Sequence, residues 1–382
     1  MFTITGKEGN ARTGILKTKT YAVHTPAFMP VLTKGAAKFI TVQDLESMGT
    51  EVFISNAFLL YLKPGLKTVG DIHEFLSWKR AIFTDCGAFQ MLREAFYQGH
   101  TDQGIRLKDP FSGKTILLTP RDIMKIQLAL QCDVAMALDN LPDHKTLSRE
   151  EIEQAVGLTI AWHTTSKEVH DTLQKDILQN DRQLLFGIGQ GGLLEDLRRD
   201  CLKKLVQLDF DGYALGGLCI GEGKKEMLEM VRVSKEEIPE GKPVYLMGVG
   251  SPEDIVEAVA SGVDIFDSAY PTQLARHGQI FTWDGYLNLK LSKYAQDETP
   301  LDPECDCWVC KKHSRKYLYH ISKLMEPTAH ILKSYHNVYF LQALVRRCQR
   351  EIAKGTFESF QKEFQRNYSL RNSNTFAGTT LR

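Results

Sequence analysis

Three cysteines and one histidine carry the clearest chemical signal in the chain. The run Pro303-Glu-Cys305-Asp-Cys307-Trp-Val-Cys310 is followed, 26 residues on, by His336. Thiolates this close repel one another unless a cation lies between them, and three sulfurs with one imidazole complete a tetrahedral Cys3His zinc site. Such a site leaves no coordination position open, so the single Zn2+ it implies is structural and catalysis lies elsewhere. The candidate catalytic groups are Asp85, in Thr84-Asp85-Cys86-Gly87-Ala88-Phe89-Gln90, and Asp267, in Phe266-Asp267-Ser268-Ala269-Tyr270-Pro271-Thr272. Each follows an apolar run. Two carboxylates at one opening suit glycosidic-bond chemistry, with one attacking the anomeric carbon and the other moving a proton on the leaving group. The competing reading is a pair of solvated turn aspartates. Gly187-Ile188-Gly189-Gln190-Gly191-Gly192 fits the G-x-G-x-x-G pattern of dinucleotide sites. Its mid-chain position argues instead for glycines that let a flat ring approach the backbone.

The elements that must position these groups are eight short, near-continuously apolar runs at 27–33, 51–56, 81–85, 133–139, 184–190, 212–217, 243–249 and 263–267. Strands apolar on both faces belong to a sheet covered on both sides. Helix signals lie between several of them. Thr119-Pro120-Arg121-Asp122 offers an N-cap, a proline at the first helical position and an acid at the third; Ser251-Pro252-Glu253-Asp254 repeats the device. Eight strands alternating with helices predict an α/β fold, a (β/α)8 TIM barrel rather than a doubly wound sheet. Asp85, Asp139, Gln190, Gly216-Gly217, Gly248 and Asp267 then stand at C-terminal strand ends, which converge on one mouth in such a barrel. The expected division is a barrel over 1–285, a zinc subdomain over 286–345, and a C-terminal helix over 346–382 that packs back on the barrel, with a frayed tail after about 368.

Net charge is zero, but its distribution is uneven. Residues 301–382 hold fourteen Lys+Arg against seven Asp+Glu, and the first 300 hold 33 against 40. A basic C-terminal portion around a zinc knot is a candidate phosphate-binding face, with an ordinary solvated helix surface as the alternative. Of eight cysteines, five are scattered without framework spacing, which fits a reducing compartment. With no leader-like N-terminal segment and no apolar run of 18 residues, the expectation is a cytoplasmic protein without a membrane partner.

Ordered motifs over about 300 residues carry a resemblance. They are Thr25-Pro-Ala-Phe-Met-Pro-Val31, Thr84-Asp85 with Phe89-Gln90, Gly189-Gln190-Gly191, Leu215-Gly-Gly-Leu218, Gly221-Glu222-Gly223, Tyr245-Leu-Met-Gly-Val-Gly250, Phe266-Asp267, Pro271-Thr272 and Arg276-His-Gly278, closed by the cysteine knot. The chain resembles the tRNA-guanine transglycosylases, which exchange guanine at the anticodon wobble position for a 7-deazaguanine. The resemblance implies a zinc-bearing barrel enzyme, a pentosyltransferase. It gives Asp267 the role of nucleophile at ribose C1′, forming a covalent ribosyl-aspartate, and Asp85 that of general acid/base. Asp139 would accept from the ring N–H and exocyclic amine of the base, while Gln190 and the Gly217 N–H donate to O6. Leu218 would offer its carbonyl, with Glu222 behind it, to the amine on the 7-substituent. Phe89 and Met247 would stack on the two sides of the purine, and Thr272, Gln273 and Arg276 would contact RNA. The implied partners are tRNA with G at the wobble position (Asp, Asn, His and Tyr types), the 7-deazaguanine base, and a second subunit, either identical or a paralogue. The target nucleotide must be flipped out for its C1′ to be reached.

Some positions depart from the family pattern. Cys86 replaces the usual serine after Asp85, Leu59 stands where a histidine is common, and Gln273 replaces an arginine. Ile220 is branched where queuine-using eukaryotic members have glycine, which obstructs the bulky cyclopentenediol of queuine and favours preQ1. The competing functions are a non-catalytic accessory subunit of a heteromeric transglycosylase, base exchange on another nucleic acid, and a zinc-stabilised barrel hydrolase.

Overall fold

The computed structural model describes residues 1–87, 96–141 and 148–372. All eight apolar runs are strands of one closed barrel: β1 (Ala27–Leu32), β2 (Val52–Asn56), β3 (Ala81–Asp85), β4 (Val134–Met136), β5 (Leu184–Gly189), β6 (Gly212–Leu215), β7 (Val244–Leu246) and β8 (Ile265–Ser268). Each pairs in parallel with its sequence neighbours, and β8 closes on β1 through Ile265↔Ala27 and Asp267↔Met29. The fold is therefore a (β/α)8 barrel, as expected.

Alternation along the strands decides what faces inward. Ala27 and Met29, Val52 and Ile54, Ala81 and Phe83, Val134 and Met136, Phe186 and Ile188, with Ala214, Tyr245 and Ile265, fill the interior. Phe83 stands edge-on to Phe186 (5.5 Å between centroids) and to Tyr245 (6.2 Å), so the middle of the barrel is solid. One step further along the same rows stand Asp85, Gln190, Met247 and Asp267. Strand parity thus puts four sequence-predicted site residues in the layer directly above the packed core.

The opposite end is closed by a three-stranded antiparallel sheet, Phe2–Glu8, Ala11–Lys17 and Ala22–Thr25, whose Leu16 and Val23 join the interior cluster. Arg12 reaches from it to Asp264 with two charge-assisted bonds, of 2.9 and 2.6 Å. Asp133, before β4, accepts from Thr18 Oγ1 (2.8 Å), Thr20 N (3.0 Å) and Ile82 N (2.8 Å).

The predicted helix starts are present. Thr119 and Asp122 form a capping box on Pro120–Ala129, and Ser251 caps Pro252–Ala260. A second antiparallel sheet, Tyr97–Thr101, Gly104–Lys108 and Thr115–Leu118, is inserted between β3 and its helix. Sequence reading missed it because its strands are short and polar on one face.

After β8 come the helix Tyr270–Arg276, the hairpin Gln279–Thr282/Gly285–Asn288 and the cysteine loop. One 28-residue helix, Pro327–Lys354, then returns to the barrel, where Gln342 Nε2 donates to the β1 carbonyl of Phe28 at 2.9 Å. The final helix, Phe357–Asn372, begins on Glu8, whose carboxylate accepts from the Phe357 and Glu358 N–H groups at 2.7 and 2.9 Å. It extends past the expected fraying point at 368, and residues 373–382 lie outside the described residues.

Candidate active site

Asp267 owes its place to β8, where it follows inward-facing Ile265 by two residues. Its Oδ1 accepts from the Tyr245 hydroxyl at 2.6 Å and from the Gly248 N–H at 2.8 Å. Among the described residues nothing donates to Oδ2. Burial lifts the carboxyl pKa above its ordinary value, against the pull of those two donors. The Tyr245 phenol is pushed well above its own by burial and by the charges of Asp267 and Asp85, so it keeps its proton and donates. Both carboxylates therefore act on one phenol: β3 and β8 bring the predicted pair to the same mouth. Asp85 is in register with Asn56 of β2, which caps the helix Ala57–Leu62 through Leu59 N at 2.8 Å.

The third carboxylate, Asp139, stands beyond the end of β4. Gln190 Nε2 donates to its Oδ2 at 2.6 Å, and the Cys86 thiol makes a long contact of 3.7 Å to Oδ1. Burial pushes Asp139 up to about 6, against Gln190 and Cys86. A Cβ on Gly216 would lie 2.5 Å from Gln190 Nε2 and one on Gly217 2.6 Å from Gln190 Oε1. Gly217 also has φ +67°, so only glycine fits there. Leu218 follows. Glu222 then folds back beneath the turn, accepting from Ile220 N at 3.0 Å and from Cys219 N. Met247, half-buried, is the next inward residue after Tyr245 on its row. Phe89, the other expected stacking partner, lies outside the described residues.

The residues expected to meet RNA follow β8 directly. Gln273 is exposed and Arg276 half-buried, whereas Thr272 is buried and its hydroxyl donates to Ala269 O at 3.0 Å. Basic groups cluster around this helix. Burial and the charges of Lys333, Arg276 and His277 hold His330 below its ordinary pKa. Lys333 is brought down to about 8 by burial and by Lys290. No ion pair to Lys333 is found among the described residues.

The cysteine loop and the long helix bring together four side chains able to hold a metal ion. Ligand atoms of Cys305, Cys307, Cys310 and His336 lie within 4.8 Å of one another. His336 Nδ1 is 3.8, 3.5 and 3.3 Å from the three sulfurs. A tetrahedral zinc with ordinary bond lengths would set these separations at about 3.6 Å. His336 Nε2 lies 2.8 Å from Phe281 O, which fixes that nitrogen as the N–H and aims Nδ1 at the sulfurs. The residues fit one ion.

Sequence reasoning missed Tyr245 and the Gly248 N–H as partners of Asp267. The signal was present: a tyrosine in an otherwise aliphatic strand needs somewhere to send its hydroxyl.

Comparisons with known proteins point to one family. A family profile described as "Queuine tRNA-ribosyltransferase" matches residues 7–370. Proteins of that name from Thermoanaerobacter sp. (strain X514) and Acinetobacter baylyi are each 40% identical to this chain, over 365 and 362 residues. The first covers 95% of each chain; the second covers 94% of this chain and 92% of the relative. One from Francisella tularensis subsp. novicida is 39% identical over 370 residues, 96% of this chain and 98% of its own.

Proposed function

The chain belongs to the queuine tRNA-ribosyltransferase family, a pentosyltransferase family acting on tRNA, and from that premise we propose a double displacement at the barrel mouth with Asp267 as nucleophile. It is a tRNA-guanine transglycosylase. The observation that carries the mechanism is the one-sided hold on Asp267. Tyr245 and Gly248 both bind Oδ1, and among the described residues nothing donates to Oδ2. Oδ2 attacks C1′ of the flipped wobble nucleotide, the C1′–N9 bond breaks, and Asp85 gives its proton to the departing guanine. The incoming 7-deazaguanine yields its N9 proton to Asp85. Its N9 then attacks C1′, and the ester bond to Asp267 breaks. Two inversions retain the β configuration, and no redox or nucleotide cofactor takes part.

Asp139 as carboxylate accepts the N1–H and 2-amino donors of the base. The Gly217 N–H and the Gln190 amide face its O6. Leu218 and Glu222 serve the 7-substituent, and Met247, with Phe89, stacks on the ring. Ile220, held by Glu222, narrows the site toward preQ1 over queuine. Arg276, with the exposed Lys290 and His277, suits the phosphates of the anticodon arm; Gln273 adds a neutral contact there. The metal is one structural Zn2+, held by Cys305, Cys307, Cys310 and His336. The tRNA substrates are those with G at the wobble position, the working form is a two-subunit assembly, and the compartment is the cytoplasm. Among the described residues no helix is long and apolar enough to cross a membrane.

The test is exchange of labelled guanine into tRNA bearing G at the wobble position, together with trapping of the covalent adduct on denaturing gels. Asp267→Ala should abolish both; an adduct that persists in this variant refutes the nucleophile assignment. Competition between preQ1 and queuine for incorporation decides the base. Retention of Asp267 and Arg276 argues against an accessory subunit.

A further inference from the structure

The helix Glu195–Gln207 after β5 carries Arg198 on the face that packs against the barrel, among Leu197, Cys201, Leu202 and Leu205. Arg198 is fully buried at 0% exposure. A buried guanidinium is expected on a carboxylate, and among the described residues Arg198 has no such ion pair. Its bonds go to backbone carbonyls instead. Nε and Nη2 donate to Gly192 O at 3.1 and 2.8 Å, Nη2 to Gly216 O at 3.1 Å, and Nη1 to Gly189 O at 3.4 Å. The turn and the helix touch closely: a Cβ on Gly191 would lie 2.6 Å from Arg198 N. Cys201, one turn further along, accepts from Gln190 N–H at 3.4 Å. The charge of Glu222, which grips the other side of the Gly216–Gly223 turn, also acts on Arg198.

These carbonyls are not scattered. Gly189 and Gly216 precede Gln190 and Gly217, the two residues set against O6 of the base. In a trans peptide the C=O and the N–H of the next residue point in opposite directions. A cation holding the Gly216 oxygen from behind therefore turns the Gly217 N–H toward the mouth and polarises it as a donor. The Gly216 N–H is itself bonded to Gly189 O at 3.0 Å, so the two turns move as one piece.

We propose that Arg198 is a positioning residue for base recognition: by gripping the Gly189, Gly192 and Gly216 carbonyls it aims and polarises the Gly217 N–H that meets the 6-oxo group of the purine. The proposal rests on the base-site reading above. Guanine and 6-thioguanine separate the two, since the thione keeps the N1–H and amine but is a poor acceptor. Their inhibition constants are measured against incorporation of a labelled 7-deazaguanine by the full-length enzyme, for the unmodified chain, Arg198→Met and Arg198→Lys. Thermal melting reports folding. The unmodified enzyme should favour guanine. Both variants should weaken guanine by about tenfold, the value of one well-aimed hydrogen bond, and leave 6-thioguanine within about twofold. Arg198→Lys keeps a charge in place if the methionine variant does not fold. Equal weakening of both bases, or no weakening of either, overturns the proposal and reduces Arg198 to a strut. An unmodified enzyme that fails to favour guanine overturns the base-site reading itself, and the proposal with it.

Discussion

Asp264 and Asp267 stand three residues apart at opposite ends of β8 and have opposite surroundings. Asp264, at the base, is fully buried and gripped by the Arg12 guanidinium, with the Val244 N–H adding a bond at 2.7 Å. Asp267, at the mouth, has among the described residues only neutral donors, and both go to one oxygen. A carboxylate neutralised by a fixed cation is a poor nucleophile and a good tie. One held by a phenol and an amide keeps its charge available and its orientation set. The same division separates Asp133 from Asp139. Burial pulls Asp133 up, but bonds from His73, Ile82 and Thr18 more than offset it and leave it below the ordinary carboxylate value. Asp139 has Gln190 and a distant thiol, and sits at about 6. Charge at the base of this barrel holds the sheet together; charge at the mouth, on the proposed reading, is kept for a ligand.

Substitutions at the two ends should separate cleanly. Asp267→Asn should cut exchange by about 10^4-fold or more, as loss of a nucleophile does, with the melting temperature nearly unchanged. Asp264→Asn should do the reverse. It strips the partner from a buried Arg12 and should cost about 3–5 kcal/mol in denaturant unfolding, while turnover per folded molecule is retained. A stable Asp264→Asn protein with dead chemistry would break the division. Tyr245→Phe tests the hold on Asp267: losing a bond to a charged acceptor is worth about 1.5–3 kcal/mol, so exchange should fall roughly ten- to hundredfold with little loss of stability.

The smallest effect is that of pH. The Asp139 carboxylate must be ionised to accept two donors, so kcat/KM for the base should rise as pH increases through about 6 and flatten above it. Its folded pKa is raised, so its effect on stability runs the other way: ionisation disfavours the fold, and this penalty grows between the unfolded carboxylate value and about 6. Asp139→Asn should lower kcat/KM and remove the inflection near 6. An inflection that survives in this variant assigns it to another group.

The barrel was legible because each strand is apolar on both faces, which leaves a continuous run that little else imitates. The metal centre was legible because ligand spacing is local for three of its four members. What stayed hidden depends on contacts between residues distant in sequence. Tyr245 meets Asp267 only once β7 and β8 are neighbours, and Arg198 meets Gly216 only across two strands. Arg198 did leave a trace, as a charge at a core-facing position beside Leu197, Cys201, Leu202 and Leu205. The polar hairpins at 97–118 carried no comparable pattern. Thr272, expected from its motif to meet RNA, donates its hydroxyl to Ala269 O in its own helix, a local bond that the motif alone does not reveal.

The solid middle of the barrel, with Phe83, Phe186 and Tyr245 packed edge to face above the plug of Leu16 and Val23, has a kinetic corollary. Among the described residues there is no back door. On the proposed double displacement the outgoing and incoming heterocycles pass the same threshold in turn. On that reading, free guanine in the surroundings competes with the incoming base for a cell with a single berth.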